Sequence, residues 1–430
     1  KRYIISIRAL MKKVVVFSSK VFVIIIITLL ILEFGLWLFP SVIPPGILIH
    51  FNNGLRKKIA RGRFPTFDDT VIFNRDDNGP ELRLWKPFTK ITARDIEVPG
   101  DFYIVKTDEI GFCNPSGFYS QASNIDVITI GDSFTWCNAV RSEDTWTKRL
   151  SDFSGLSTYN IGKGGMGLYE YLQILKGFGI QKSPRFVILN VYEGNDLRDD
   201  IRYQQSKYNS IELNSNSSYS SFLQGITELI NSPLGRYSYS FNLFLAAIKN
   251  TIIYISSPTT GDMDFRYRLG FPGKSIPFNL ENSDLDEVLH ARLLLEKEIG
   301  FDVFTEALKI FVRLSKEHNF IPIVIYTPSA HTTYAAYVVF NDPTLADVMQ
   351  LFSNSQREFF RMKGKELGYV FIDLTPSLQA AALSSNSQNL LYYRTNLHIT
   401  KQAHEIIAKT LSESMQNLGL LEQDQSRRPD

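Results

Sequence analysis

Residues 126–134 read DVITIGDSF, and this stretch decides the fold. Asp126-Val-Ile-Thr-Ile is a short β-branched run without polar alternation, as expected of a strand buried on both faces. It leads directly into Gly131-Asp132-Ser133-Phe134, where small and polar residues end the strand. Two runs downstream share the pattern, Ser157-Thr-Tyr-Asn-Ile and Arg185-Phe-Val-Ile-Leu-Asn-Val. Helical stretches around 143–150 and 168–175 separate them. After residue 300 the alternation resumes with an amphipathic helix over 301–318 and a strand at Ile321-Pro-Ile-Val-Ile-Tyr. A long helix over 345–367, a strand at Tyr369-Val-Phe-Ile-Asp and a closing helix over 400–415 complete the series. Five strands alternating with helices predict an α/β fold built on a parallel, doubly wound sheet.

Residues 197–300 form a large insertion between the third and fourth strands, where a crossover needs only about a dozen residues. Asn209–Ser221 (NSIELNSNSSYSS) is Ser/Asn-rich and reads as a mobile loop. Phe241–Ser257 is apolar enough to suggest a second membrane helix. Asn242, Lys249 and Asn250 interrupt it and favour a packed or membrane-proximal helix. The insertion is a candidate lid or partner-binding element. Residues 40–120 carry Pro/Gly punctuation and short apolar runs, read as a juxtamembrane segment with irregular β structure and no helical period.

Upstream, Val21–Phe39 (VFVIIIITLLILEFGLWLF) contains one charge, Glu33. A helix of that length spans about 28 Å, close to a hydrocarbon core of roughly 30 Å. Trp37 stands near its far end, where an aromatic belt residue belongs. A cleaved signal peptide competes, but the run is long and Pro40-Ser-Val-Ile-Pro-Pro follows it in place of a small-residue site. Met11-Lys12-Lys13 reads as a natural start. Lys1, Arg2, Arg8, Lys12, Lys13 and Lys20 precede the helix; Arg56, Lys57, Lys58, Arg61 and Arg63 lie further off on the other side. The nearer cluster predicts a cytoplasmic residue 1–20 segment, a transmembrane helix over 21–39 and the bulk of the chain outside the cytoplasm.

Composition narrows the rest. The 430 residues are 44% apolar and 13% aromatic, ample for a large core, so global disorder is excluded. Lys and Arg total 46 against 44 Asp and Glu, a formal charge of +2, which gives no field for gripping nucleic acid. Two cysteines make neither a disulfide framework nor a four-thiolate zinc site. The histidines are scattered, with no H-E-x-x-H spacing, so no metal or other cofactor is expected.

Polar residues gather where strands end. Gly131-Asp132-Ser133 follows the first strand, and Asn160-Ile-Gly162-Lys-Gly164-Gly165-Met-Gly167 the second. Glu193-Gly194-Asn195-Asp196 follows the third, and Asn396-Leu-His398 the fifth. In an open α/β sheet these ends share one crevice. Ser133 supplies a nucleophile, His398 a base, the glycines exposed N–H groups and Asn195 an amide donor. Singly each signal is weak, since Asn195 could be a turn residue and the glycine run plain turn chemistry. Among the histidines, His50 lies near the membrane helix and His290 and His318 read as exposed helix residues. His331 follows strand four and His404 lies inside the last helix. Only His398 stands between the last strand and that helix.

This combination resembles the SGNH (GDSL-like) hydrolase superfamily over roughly residues 107–415. Gly131-Asp132-Ser133 is similar to the first block, which carries the nucleophile. Asn160-x-Gly162-x-x-Gly165 is similar to the second, whose last glycine gives an oxyanion N–H. Gly194-Asn195-Asp196 is similar to the third, whose asparagine completes the oxyanion hole, and His398 to the base of the fifth. The segment Thr107-Asp-Glu-Ile-Gly-Phe-Cys113-Asn-Pro resembles the lead-in of membrane-anchored bacterial members. The resemblance implies a flavodoxin-like sheet, a hydrolase domain over 121–418 and a polar tail over 419–430.

One departure matters. The fifth block of that family reads D-x-x-H or D-x-H, and the corresponding positions here are Thr395 and Asn396. An acid there would hold the imidazole tautomer and stabilise the imidazolium. His398 is oriented by a backbone carbonyl as part of a Ser–His dyad, or a carboxylate such as Asp373 or Glu193 substitutes, or activity is weak and a binding module remains. Cys113 and Cys137 form a bridge beside the nucleophile or are two buried thiols.

The expectation is a membrane-anchored serine esterase, periplasmic or on the cell surface, acting on short acyl esters of carbohydrate or envelope polymer. An O-acyltransferase using the same residues, and a weakly active carbohydrate-binding or assembly protein, are the alternatives. The bilayer and the acylated polymer are the expected partners, and no protein partner is indicated.

Overall fold

The computed structural model describes residues 2–48, 50–60, 70–73, 82–94, 97, 102–212, 218–256, 264–280, 282–384 and 389–421. They divide into two compact units, one of residues 1–67 and 214–259, the other of residues 68–213 and 260–430.

The larger unit is built on a five-stranded parallel sheet. Its strands are β1 (Val127–Ile130), β2 (Thr158–Asn160), β3 (Phe186–Tyr192), β4 (Ile321–Thr327) and β5 (Val370–Asp373). Across the sheet they run β2-β1-β3-β4-β5, every neighbouring pair parallel. Val127 is in register with Thr158 on one side and Phe186 on the other, and Ile323 with Ile188 and Val370. All seven residues of β3 are buried, which explains its unbroken apolar run. Helix Trp146–Ser154 packs against helix Lys401–Asn417, while helix Asp302–His318 contacts helices Leu168–Ile174 and Leu345–Leu367. Strand order reverses between β1 and β3, so the loops leaving these strands flank the switch point where ligands bind in such sheets.

Peripheral β structure surrounds this core. Thr70–Phe73 pairs with Leu82–Trp85 and Lys90–Arg94 with Phe102–Lys106, both antiparallel. A separate three-stranded sheet joins Tyr267–Phe271, Lys274–Phe278 and Val338–Phe340.

The smaller unit is helical. One described helix stretch, Ser19–Leu38, is long and apolar enough to cross a membrane by length and composition, and it is almost entirely unburied within the structure. Two expectations are corrected. Residues 40–120 do contain a helix, Asn53–Ala60, whose first N–H groups are capped by the Asn52 side chain at 3.0 and 3.3 Å. The Ser/Asn-rich stretch is helical at both ends, within Asp196–Glu212 and Ser218–Asn231, and residues 213–217 lie outside the described residues. Helix Tyr239–Ser256 follows.

Candidate active site

The β1 terminus turns sharply at Gly131, where a Cβ would meet the Thr135 hydroxyl, and so delivers Ser133 to the sheet edge. Asp132 caps this turn: its carboxylate accepts the Phe134 N–H at 2.8 Å, and its carbonyl accepts those of Thr135 and Trp136. Burial pushes the Asp132 carboxyl up, aided by nearby Asp199.

The loop after β2 comes alongside. Asn160 is wholly committed to structure, its amide donating to the Thr135 carbonyl at 2.6 Å and accepting from Gly162 N–H at 2.8 Å. Gly164 lies against Ser133, and Gly165 adopts φ +75°, a left-handed conformation that suits glycine. From β3, Asn195 donates one amide hydrogen to Asp199 at 2.7 Å.

His398 arrives from the segment after β5. Its Nε2 lies 2.8 Å from Ser133 Oγ, and its Nδ1 lies 3.0 Å from the Asn396 carbonyl oxygen. A carbonyl only accepts, so Nδ1 carries the proton and Nε2 presents its lone pair to the serine. The imidazole stacks on Phe134, with ring centroids 4.8 Å apart, and Phe134 stacks on Tyr192 in turn. Burial lowers the His398 pKa to about 4, against the opposing pull of the Asn396 carbonyl.

A cleft of about 160 Å³ is lined by Ser133, Gly165, Asn195 and His398 together with Tyr192, Arg198 and Glu287. The four sequence candidates therefore share one wall-to-wall space. Ser133, Gly165 and Asn195 all line this cleft beside His398.

The His-orienting candidates separate cleanly. Asn396 meets His398 twice, through its carbonyl and through its side-chain oxygen, which accepts the His398 N–H at 2.9 Å. Asp373 is elsewhere, paired with Arg357 at 2.7 Å. Glu193 is elsewhere too, accepting from Thr332 at 2.5 Å and Ser353 at 2.9 Å. Both are corrected as partners of His398. The backbone N–H of Thr395 donates to Glu97 at 2.6 Å.

Sequence reading missed three features. Asn138 Nδ2 lies 2.8 Å from His398 Nε2. Glu97 holds the turn before His398, accepting the Arg394 and Thr395 N–H groups. His331 is buried rather than incidental, bonded to Glu287 at 2.9 Å, and its pKa is raised because the Glu287 and Glu193 carboxylates outweigh desolvation. Glu193, Glu287 and His331 place potential metal-ligand atoms within 4.8 Å of one another. The carboxylates already receive hydrogen bonds from Thr332, Ser353 and Ser329, so the cluster is a satisfied buried ion-pair network. No signal short of the fold would have marked any of the three.

Cys113 and Cys137 are joined by a disulfide, with Cα atoms 6.2 Å apart. The bond ties the segment before the sheet to the turn that carries Ser133 and Asn138. Asp108 in that segment accepts from Asn114 at 3.0 Å and from the Tyr159 hydroxyl at 2.6 Å, fixing it to β2.

No protein-family model matches the chain, and no curated protein matches it in sequence. Solved structures align with it at low similarity. A G-D-S-L family protein from Desulfitobacterium hafniense aligns at 14% identity and a TM-score of 0.34, covering 67% of this chain and 99% of that one. An acetylxylan esterase from Geobacillus stearothermophilus aligns at 11% identity and 0.35, covering 69% and 95%. An α/β hydrolase from the metagenome of Lake Arreo, Spain, aligns at 10% identity and 0.35, covering 70% and 97%. Likeness at this level assigns neither family nor activity to this chain.

Proposed function

We propose that the chain is a membrane-anchored serine ester hydrolase of SGNH type, acting on short acyl esters of carbohydrate or envelope polymer outside the cytoplasm. One observation carries the reading: Ser133 Oγ lies 2.8 Å from a His398 Nε2 whose tautomer is set by the Asn396 carbonyl. Ser133 attacks the ester carbonyl as its proton passes to Nε2. The Ser133 and Gly165 N–H groups and the Asn195 amide, turned from its carboxylate partners, take up the oxyanion. The tetrahedral intermediate collapses, the alcohol leaves with the Nε2 proton, and water repeats the sequence to free the carboxylic acid and Ser133. The backbone carbonyl orients the ring as a carboxylate would but adds no charge, so His398 works as a weaker base than in a triad.

Anchoring is supported by the apolar stretch Ser19–Leu38 and the basic residues preceding it. The Cys113–Cys137 bond supports an oxidising compartment.

The test uses the full chain in detergent with a fluorophosphonate probe and p-nitrophenyl acetate, beside Ser133→Ala and His398→Ala. Labelling and hydrolysis that require both residues are expected. Labelling with turnover only when a sugar acceptor is added turns the reading to O-acyl transfer. Hydrolysis undiminished in Ser133→Ala removes it.

A further inference from the structure

The only charge in the apolar stretch 21–39 is Glu33, and its carboxylate does not face open space. It caps helix Tyr239–Ser256, accepting the N–H of Tyr239 at 2.7 Å and of Ser240 at 2.8 Å. The hydroxyls of Ser238 and Ser240 add bonds at 2.9 and 2.6 Å. Both oxygens of the acid, and the first donors of the second helix, are thereby satisfied inside the smaller unit.

Asn242 follows the same logic. It is fully buried, donating to the Ser238 carbonyl at 2.8 Å and to that of Gly235, and accepting the Asn52 N–H at 2.8 Å. Around these polar groups lies a small core of Leu36, Ile43, Leu48, Phe51, Tyr239 and Ala246. Outside it Trp37 and Phe39 on the anchor and Leu234, Tyr237 and Phe244 on the second segment are uncovered, with Arg236 the exposed charge among them. Polar groups paired inward and apolar groups turned outward is the arrangement a hydrocarbon solvent imposes.

Depth follows from helix rise. Glu33 precedes Phe39 by six residues, about 9 Å along the axis at 1.5 Å per residue. If the anchor crosses the bilayer with Phe39 at its boundary, Tyr239 begins at the depth of Glu33, below that boundary. From there its helix runs back towards Pro45–Leu48, which it also contacts. Lys249 is ten residues beyond Tyr239, about 15 Å, and so clears the boundary; its ammonium also donates to Thr227 at 3.0 Å. Arg236 donates to the Asn231 carbonyl at 3.3 Å, on a side chain long enough to snorkel.

We propose that the segment from Leu234 through the first turns of helix Tyr239–Ser256 is seated in the bilayer beside the anchor, clamped there by Glu33. The occupant of the uncovered face is lipid. The proposal rests on the anchor reading above and extends it from one helix to a two-part membrane seat formed by sequence-distant segments.

The experiment reconstitutes the full chain in phosphatidylcholine vesicles with a maleimide spin label at Phe244→Cys, Ile31→Cys or Leu418→Cys, the native cysteines being bonded to each other. Collision with oxygen is compared with collision with a water-soluble nickel chelate. Ile31 reports the anchor and Leu418, an exposed position of the other unit, reports water. The expected result is an oxygen-to-nickel ratio at Phe244 several-fold above that at Leu418. Adding Glu33→Ala should bring the Phe244 ratio down to the Leu418 value while Ile31 stays unchanged. A water-like Phe244 beside a lipid-like Ile31 overturns the proposal and leaves the anchor standing. A water-like Ile31 overturns both.

Discussion

The Nδ1 proton of His398 is held by the main-chain carbonyl of Asn396, 3.0 Å away, where a carboxylate would sit in a charge-bearing triad. The carbonyl fixes the tautomer but contributes no negative charge, so burial governs the ring and its pKa falls to about 4. The base is therefore neutral and competent over the whole range above that value. The acid limb of kcat/KM should lie near pH 4 rather than near 6.5. Asn396→Asp keeps the oxygen that accepts the His398 N–H and adds a charge, which should raise the limb by about 1–3 pH units. A wild-type limb near 6.5, or one that Asn396→Asp leaves in place, would contradict this account.

Asn138 and Ser133 compete for one lone pair. Both approach His398 Nε2 at 2.8 Å, and a neutral imidazole has a single in-plane acceptor there. The amide hydrogen stabilises the neutral ring and weakens it as a base. Asn138→Ala should strengthen the Ser133 hydrogen bond and move the acid limb to higher pH with activity retained. Asn138→Asp should do the reverse to catalysis, trapping the imidazolium and lowering the rate at pH 7 by about tenfold or more. Steady-state pH profiles of both variants decide the matter, and indistinguishable profiles would remove Asn138 from the site.

Glu97 acts one step further out. Its carboxylate accepts the N–H groups of Arg394 at 3.0 Å and Thr395 at 2.6 Å, setting the turn whose next residue supplies the orienting carbonyl. Glu97→Gln places donors against donors at part of this contact. We expect kcat to fall about ten- to hundredfold by misplacing the ring, with KM little changed. Arg394→Gln removes the ion pair but keeps both backbone contacts, and should leave kcat within a fewfold. Equal losses in the two variants would mean that the ion pair, not the turn, is what matters.

These residues also mark what a sequence can disclose. The strands were readable because β1 and β3 are buried on both faces and so consist of uninterrupted apolar runs. Helix Leu345–Leu367 was readable to the residue, closed by Gly368 at φ +90°. Ser133 and His398 were readable because their strand-end positions and neighbours form a pattern. Asn138 lies 260 residues from the ring it touches, and Glu97 works through backbone N–H groups that any residue carries. Neither relation leaves a periodicity or motif. Helix Asn53–Ala60 was hidden for a different reason: eight residues are too few to establish a helical period.

The disulfide should matter to both stability and rate. Closing a 24-residue separation is worth about 3.5 kcal/mol in the chain-entropy account. Cys137 adjoins Asn138, so the bond also braces the residue that meets His398. Replacing both cysteines by serine should lower Tm and, at temperatures where the variant remains folded, raise the acid limb as Asn138 loosens. A lower Tm with an unchanged pH profile would confine the bond to stability.

Acid stability gives the last prediction. Burial lowers His398 to about 4 and His404 to about 3, both from an unfolded value near 6.5. The unfolded chain thus binds more protons between these values. The stability gained by keeping both rings neutral is complete above pH 6.5 and is lost as pH falls through their folded values. His331 has the opposite sign: its raised pKa gives stability that is complete below pH 6.5 and lost as pH rises through its folded value. Buried Asp132, Glu170 and Asp284 act against the two neutral rings: their raised folded pKa values give stability that is complete below about pH 4 and lost as pH rises through those values, so the contribution of one ring is read by substituting it. His404 accepts the Trp146 N–H at 3.1 Å, a contact that glutamine can reproduce without titrating. Relative to the wild type, His404→Gln should raise Tm at pH 4 more than at pH 6.5 while leaving the alkaline side alone. An unaltered acid slope would show that other groups carry the proton uptake.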